Sequence, residues 1–204
     1  MRCCWRWHGL SNQTVLIYVH GFNSSTLSYK ARLLRDHMTK LGLAHLYACP
    51  ELSHRPVQAM AQLQTLMAPH DPRTLTLVGS SLGGFYATRL VETLGARTVL
   101  VNPAVRPYDL LAPLTGLQKN LYTGEEYLFT AEHVAELRAL EVDRITPELY
   151  LLITATGDEV LDYRDGVARY AGCEQIIVNG GDHGFRGFAD YLDSVVTFWQ
   201  RGRV

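Results

Sequence analysis

Residues 74–88 read TLTLVGSSLGGFYAT, and this stretch decides the fold. Thr74 to Val78 alternate threonine with aliphatic side chains, as a short buried strand does. From Leu82 onward the apolar residues recur at helical spacing. Between the two stands Gly79-Ser80-Ser81-Leu82-Gly83, with Gly84 following. A serine at the centre of GxSxG, set between a strand and a helix, is the pattern of a nucleophile elbow. The serine sits in a strained turn, and small flanking residues let strand and helix pack closely around it. Ser81 is that central serine, and its place at a helix N-terminus favours developing negative charge. A nucleotide-binding loop competes less well, since there is no GxGxxG and no Gly-Lys-Ser/Thr.

On either side, short β-rich runs alternate with amphipathic stretches, which predicts a parallel sheet with crossover helices. Strands are expected at 14–19, 44–48, 74–78, 97–101, 149–154 and 175–178. Helices are expected at 27–41, after a Ser24 or Ser25 cap, and at 56–67, 82–94, 162–170 and 188–201. Gly42 and Gly95 stand where left-handed C-caps favour glycine. Residues 102–148 interrupt the βα rhythm, and this insertion is expected between the fifth and sixth strands. It carries Pro103, Pro107, Pro113 and Gly116, then a helix over 131–140. Residues 14–204 are read as a single domain with this lid-like insertion, and residues 1–13 as a disordered N-terminal extension.

Three further segments follow strands and carry chemistry. His20-Gly21-Phe22 follows the first. Where a serine attacks an acyl carbon, one oxyanion donor is the amide after the nucleophile, here Leu82, and the other comes from this loop, here Phe22. His20 precedes the nucleophile and is read as shaping the loop. Gly157-Asp158-Glu159 follows the apolar run LYLLIT, so Asp158 is the candidate acid, with Glu159 and Asp162 as rivals. Gly180-Gly181-Asp182-His183-Gly184 follows the last strand, and its glycines let His183 reach across the sheet. The order Ser81, Asp158, His183 is the nucleophile, acid, base order of α/β-hydrolases, and an α/β-hydrolase fold with a mostly parallel sheet of about six strands is expected.

Composition narrows the alternatives. The 204 residues carry a formal charge of -1, which gives no field for nucleic acid or an anionic membrane. Cys3, Cys4, Cys49 and Cys173 form no CxxC pair, and the histidines show no ligand spacing, so no metal or cofactor is expected. No stretch approaches the ~20 apolar residues of a membrane helix or a signal sequence's apolar run, so a cytoplasmic location is expected.

VHGFNSS, VGSSLGGFYAT, VNPAVRPYDLL, YTGEEY, TGDEVLDYR and GGDHGFRGF occur in that order within a stretch running from about Val15 to Phe198. Together they resemble the YqiA-type esterases, a family of small bacterial α/β-hydrolases. The resemblance implies activity on acyl esters and acyl-CoA thioesters, with a Ser-Asp-His triad falling on Ser81, Asp158 and His183. The expected partner is therefore a small-molecule acyl ester or acyl-CoA. The insertion's Tyr108, Leu110, Leu111, Leu114, Leu117, Leu121, Tyr122, Tyr127 and Phe129 could line an acyl pocket or form the insertion's own core. An acyltransferase or peptidase on the same triad, and a non-catalytic binding protein of this fold, stay open as alternatives.

Overall fold

The computed structural model describes residues 14–202, so the extension expected at 1–13 lies outside the described residues. Six strands form one sheet: β1 (Val15–Val19), β2 (Tyr47–Ala48), β3 (Leu75–Ser81), β4 (Arg97–Pro103), β7 (Tyr150–Ala155) and β8 (Glu174–Val178). Their order is β2-β1-β3-β4-β7-β8, and every pairing is parallel. The central strands are buried on both faces, which explains their near-continuous apolar character. Alternation divides β1 between two cores. Val15, Ile17 and Val19 face α2 (Pro56–Met67) and α3 (Leu82–Leu94), while Leu16 and Tyr18 face α1 (Tyr29–Lys40) and α7 (Leu192–Gln200). A further helix, α6 (Tyr163–Arg169), joins the α2 and α3 layer through the adjoining Tyr170.

Several boundaries differ from the sequence reading. The first helix begins at Tyr29, with Ser28 rather than Ser24 or Ser25 at the cap position. Ser25 is used earlier: its Oγ accepts from the Leu27 N–H and its carbonyl from the Ser28 N–H, closing a turn before the helix starts. The second strand is shortened to Tyr47–Ala48 because Ala44–Leu46 wind into a 3-10 turn. Likewise Arg186–Tyr191 is a 3-10 segment ahead of α7, as tight turns often are at helix entrances.

The insertion separates β4 from β7, which are the fourth and fifth strands of the sheet. The strands expected at 97–101 and 149–154 are themselves the fourth and fifth of the six, so the insertion's residues stand as read and only its place in the strand count is corrected, to between the fourth and fifth. It contains α4 (Pro107–Leu111), an antiparallel hairpin of β5 (Gly116–Lys119) and β6 (Glu126–Phe129), and α5 (Ala131–Ala139). Composition alone does not show the hairpin. Its Tyr127 and Phe129 point inward and are buried, whereas Leu117 and Leu128 pair on the outer face and stay exposed.

Candidate active site

The C-terminal ends of β1, β3, β7 and β8 meet at one edge of the sheet, where ligand sites of open parallel sheets form. At the end of β3, Ser81 has φ +54° and ψ -123°, a backbone state that a side chain bearing Cβ rarely adopts. The turn closes because its neighbours lack side chains. A Cβ on Gly83 would lie 2.0 Å from the Val19 carbonyl oxygen, and one on Gly21 would lie 3.1 Å from the Ser81 Cβ. Gly83 is therefore dictated by close backbone approach, and a side chain at Gly21 would crowd the serine turn.

The structure brings together the three residues singled out by sequence. His183 Nε2 lies 3.1 Å from Ser81 Oγ, and His183 Nδ1 lies 2.8 Å from Asp158 Oδ2. The Asp158 side chain is 1% exposed, so its charge depends on partners rather than water. Burial pushes its pKa up, but the hydrogen bond from His183, the Leu161 N–H, the His183 charge and the Val160 N–H together hold it below the ordinary value. Asp158 is thus an ionised acceptor that fixes the Nδ1–H tautomer and leaves Nε2 facing the serine.

The two rival acids take other positions. Asp162 caps α6, accepting from the Arg164 N–H and pairing with the Arg164 guanidinium. Glu159 accepts from the His183 backbone N–H at 2.9 Å. It steadies the turn without reaching the imidazole's Nδ1.

Two residues that hold this turn escape the sequence reading. Asn102 is 1% exposed, has φ +42°, and sits where the β3–β4 register shifts, with Ser80 opposite Val101 and Ser81 opposite Pro103. Its Nδ2 donates to the carbonyls of Asp182 and His183, at 3.1 and 3.4 Å, and its Oδ1 accepts from the Ala155 N–H. The available signal was a polar residue ending the apolar run TVLVNP. Lys30 is the second: its Nζ donates to the carbonyls of Gly184 at 2.9 Å and His183 at 3.4 Å. Nothing in its surface-like helical spacing marked it.

The loop after β1 forms the other wall. His20 is 5% exposed, and burial lowers its pKa against the opposing hydrogen bond to Gly21 and the charge of Glu51. Its Nε2 accepts from the Leu52 N–H, which puts the ring proton on Nδ1, 3.2 Å from the Gly21 carbonyl. His20 therefore shapes the loop, as expected. Leu82 is the first residue of α3, so its amide has no intrahelical acceptor. Phe22 packs edge-on against Phe129, and the next residue, Asn23, adopts φ +51°. Asn23 is tied to the hairpin: Tyr127 Oη donates to its Oδ1 at 2.6 Å, its Nδ2 donates to Gln118 Oε1, and its carbonyl accepts from the Leu121 N–H.

A cavity of about 570 Å³ opens beside Ser81 and His183. Of the insertion's apolar residues only Leu121 and Tyr122 line it. Tyr108, Leu111 and Phe129 are core, and Leu110, Leu114 and Leu117 face elsewhere on the surface. Tyr127 is buried and borders a smaller neighbouring cleft. Among the described residues no group of side chains is arranged to hold a metal ion, and no helix is long and apolar enough to cross a membrane.

A parallel sheet bearing a serine elbow on its central strand, an acid after β7 and a histidine after β8 defines the α/β-hydrolase fold. Est1E from Butyrivibrio proteoclasticus, a solved structure, superposes with a TM-score of 0.72 at 13% identity, covering 95% of this chain and 90% of its own. The chain belongs to UPF0227, described as an uncharacterised protein family, and matches it over residues 15–200. The family protein YcfP of Salmonella paratyphi A is 25% identical over 90% of this chain and 98% of its own length. The pimeloyl-[acyl-carrier protein] methyl ester esterase of Vibrio cholerae is 26% identical over 77% of this chain and 58% of its own.

Proposed function

We propose that the protein is a serine hydrolase that cleaves carboxylic esters or thioesters through an acyl-enzyme. One observation carries this reading: Ser81, His183 and Asp158 stand in hydrogen-bonded series, at 3.1 and 2.8 Å, beside an open cavity. In the reaction His183 Nε2 takes the proton of Ser81 Oγ as the oxygen attacks the acyl carbon, and Asp158 stabilises the imidazolium. The tetrahedral oxyanion faces the amides of Phe22 and Leu82. Collapse breaks the bond to the alcohol or thiol, which leaves with the proton from His183. Water then attacks the acyl-Ser81 ester by the same route, releasing the acid and regenerating the serine.

The name of the Vibrio cholerae relative, an ester-cleaving enzyme, supports ester chemistry for this site. A fluorophosphonate probe, which phosphorylates activated serines, should label the protein at Ser81. Peptide mapping locates the adduct, and a panel of acyl esters and acyl-CoA thioesters measures turnover. Labelling elsewhere, or labelling with no turnover of any ester or thioester in the panel, would overturn the reading.

A further inference from the structure

The cavity beside Ser81 has one wall unlike the rest. The wall is the first turn of α1, a helix of 12 residues with no acidic residue in that turn and no side-chain cap. Ser28, Tyr29 and Lys30 from this turn line the same cavity as Ser81 and His183. The cap-position hydroxyl, Ser28 Oγ, lies beside Tyr18 but is buried and makes no hydrogen bond of normal geometry. The first-turn amides of a helix lack intrahelical acceptors and carry the positive end of its dipole.

Lys30 adds a whole charge to that corner. It is 9% exposed, yet no carboxylate of the described residues comes within 4.0 Å of its Nζ. Among the described residues its hydrogen bonds go to the carbonyls of His183 and Gly184, using two of the three ammonium hydrogens. A buried cation without an ionic partner is costly. Desolvation pushes its pKa down to about 8, against the attraction of Asp158 and Asp182. An anion entering the cavity would supply the missing partner. The balance of charge favours a monoanion, because Asp158 and Asp182 already offset part of the field.

We propose that the α1 N-terminus and Lys30 form a carboxylate-binding subsite, so that the ester cleaved at Ser81 carries a free carboxylate a few atoms from its scissile carbonyl. The ester part of this statement rests on the hydrolase reading above, whereas the carboxylate part rests on the cavity alone. The Lys30 contact with the His183 turn couples the two, since an anion drawn to Nζ sits against the loop that carries the base.

Binding to Ser81→Ala tests the subsite without turnover. Monomethyl glutarate places the carboxylate on the acyl side and 4-acetoxybutanoate on the alcohol side; methyl pentanoate and butyl acetate are their neutral counterparts. Calorimetry or competition with a fluorescent ligand should show at least one carboxylate ester binding tenfold or more tightly than its counterpart. Lys30→Met in the same background should abolish that preference, and Lys30→Arg should keep most of it.

A second measurement needs no change at Lys30: raising the pH from 7 to 9.5 should erase the preference as the ammonium is lost. Asp182, His183 and Arg186 on the adjoining turn, Asp158 behind it, and Tyr18 and Tyr29 on the facing wall also border this group. The neutral ester at each pH controls for their effects. Equal binding of charged and neutral esters, or a preference that survives both Lys30→Met and pH 9.5, would overturn the subsite. Binding of inorganic phosphate in place of either carboxylate ester would overturn its assignment to a carboxylate. If Ser81→Ala binds as stated while the unmodified protein hydrolyses no ester, the subsite stands and the hydrolase reading falls.

Discussion

The side of the site proposed to carry the base and the side proposed to bind the oxyanion are held by different means. Asp158 and His183 stand just past the ends of β7 and β8, and Asn102, at the end of β4, ties the His183 turn to the amide of Ala155. Every one of those anchors belongs to the sheet edge. Residues 22–24 lean instead on a hairpin about a hundred positions away, through Asn23 to Gln118 and Tyr127 and through Asn120 to the Ser24 carbonyl. The groups proposed for proton transfer are thus fixed by the scaffold, and the loop proposed to bind the oxyanion by an insertion. Loss of a group on the base side should remove chemistry, while loss of a contact on the hairpin side should only loosen geometry.

The largest effect is expected at Ser81 itself. Ser81→Ala should lose about 10⁴-fold or more in kcat, because no acyl-enzyme forms. Thermal unfolding should change little, since the substitution removes one half-buried hydroxyl from a turn set by glycines. Ser80→Ala should be far milder in steady-state kinetics, and the reverse ranking would move the nucleophile by one residue.

Next comes the acid. Asp158→Asn should lower kcat by about 10³–10⁴-fold, because the amide cannot hold the Nδ1–H tautomer as the carboxylate does. Asp162→Asn should leave kcat nearly unchanged and shift denaturant unfolding only slightly, since asparagine still caps α6 and only the exposed Arg164 pair is lost. These two variants sharpen the contrast between a carboxylate proposed to orient and stabilise the histidine and one used in folding.

The base side was the more legible of the two in sequence, and the reason is physical. GxSxG, GD after an apolar run and GGDHG each require local backbone geometry, so glycine spacing marks them directly. The central strands were legible for a similar reason, since burial on both faces leaves long apolar runs. The hairpin was not, because its pattern depends on which face meets Phe22 and His54, and Leu117 and Leu128 stay exposed where a core was equally readable. Asn102 and Lys30 act through contacts 80 and 153 positions away, which no local spacing records.

Lys30 makes the contrast testable through pH. Its folded pKa of about 8 lies below its ordinary 10.5, so the folded state sheds its proton first as pH rises. Below pH 8 both states are charged and the full burial cost is present; between 8 and 10.5 the unfolded state holds more protons, so stability rises with pH. Relative to Lys30→Met, the unmodified protein should gain about 3 kcal/mol between pH 7 and pH 11, at 1.36 kcal/mol per unit of pKa. Urea unfolding of both proteins across that range measures the difference. A flat difference would mean that the ammonium is not desolvated against the His183 turn.

The smallest expected effect probes the hairpin side. Tyr127 Oη donates a 2.6 Å hydrogen bond to Asn23 Oδ1, and burial, aided by Glu125, pushes its pKa up to about 12, so it remains a donor throughout the neutral range. Tyr127→Phe keeps the ring that packs near Phe22 and His54 and removes only that donor. Stability should fall by about 1 kcal/mol, the usual net worth of one such bond. Asn23 keeps its bond to Gln118 and its backbone link to Leu121, so the loop should shift rather than collapse. Because an oxyanion contact acts mainly in the transition state, kcat should drop about fivefold with KM little changed. A rise in KM at constant kcat would instead make Tyr127 part of the substrate wall. An unchanged kcat together with the expected loss of stability would show that the Phe22 amide is placed by Gly21 and Ser81 alone, and the oxyanion side would then be as firmly built into the sheet edge as the base.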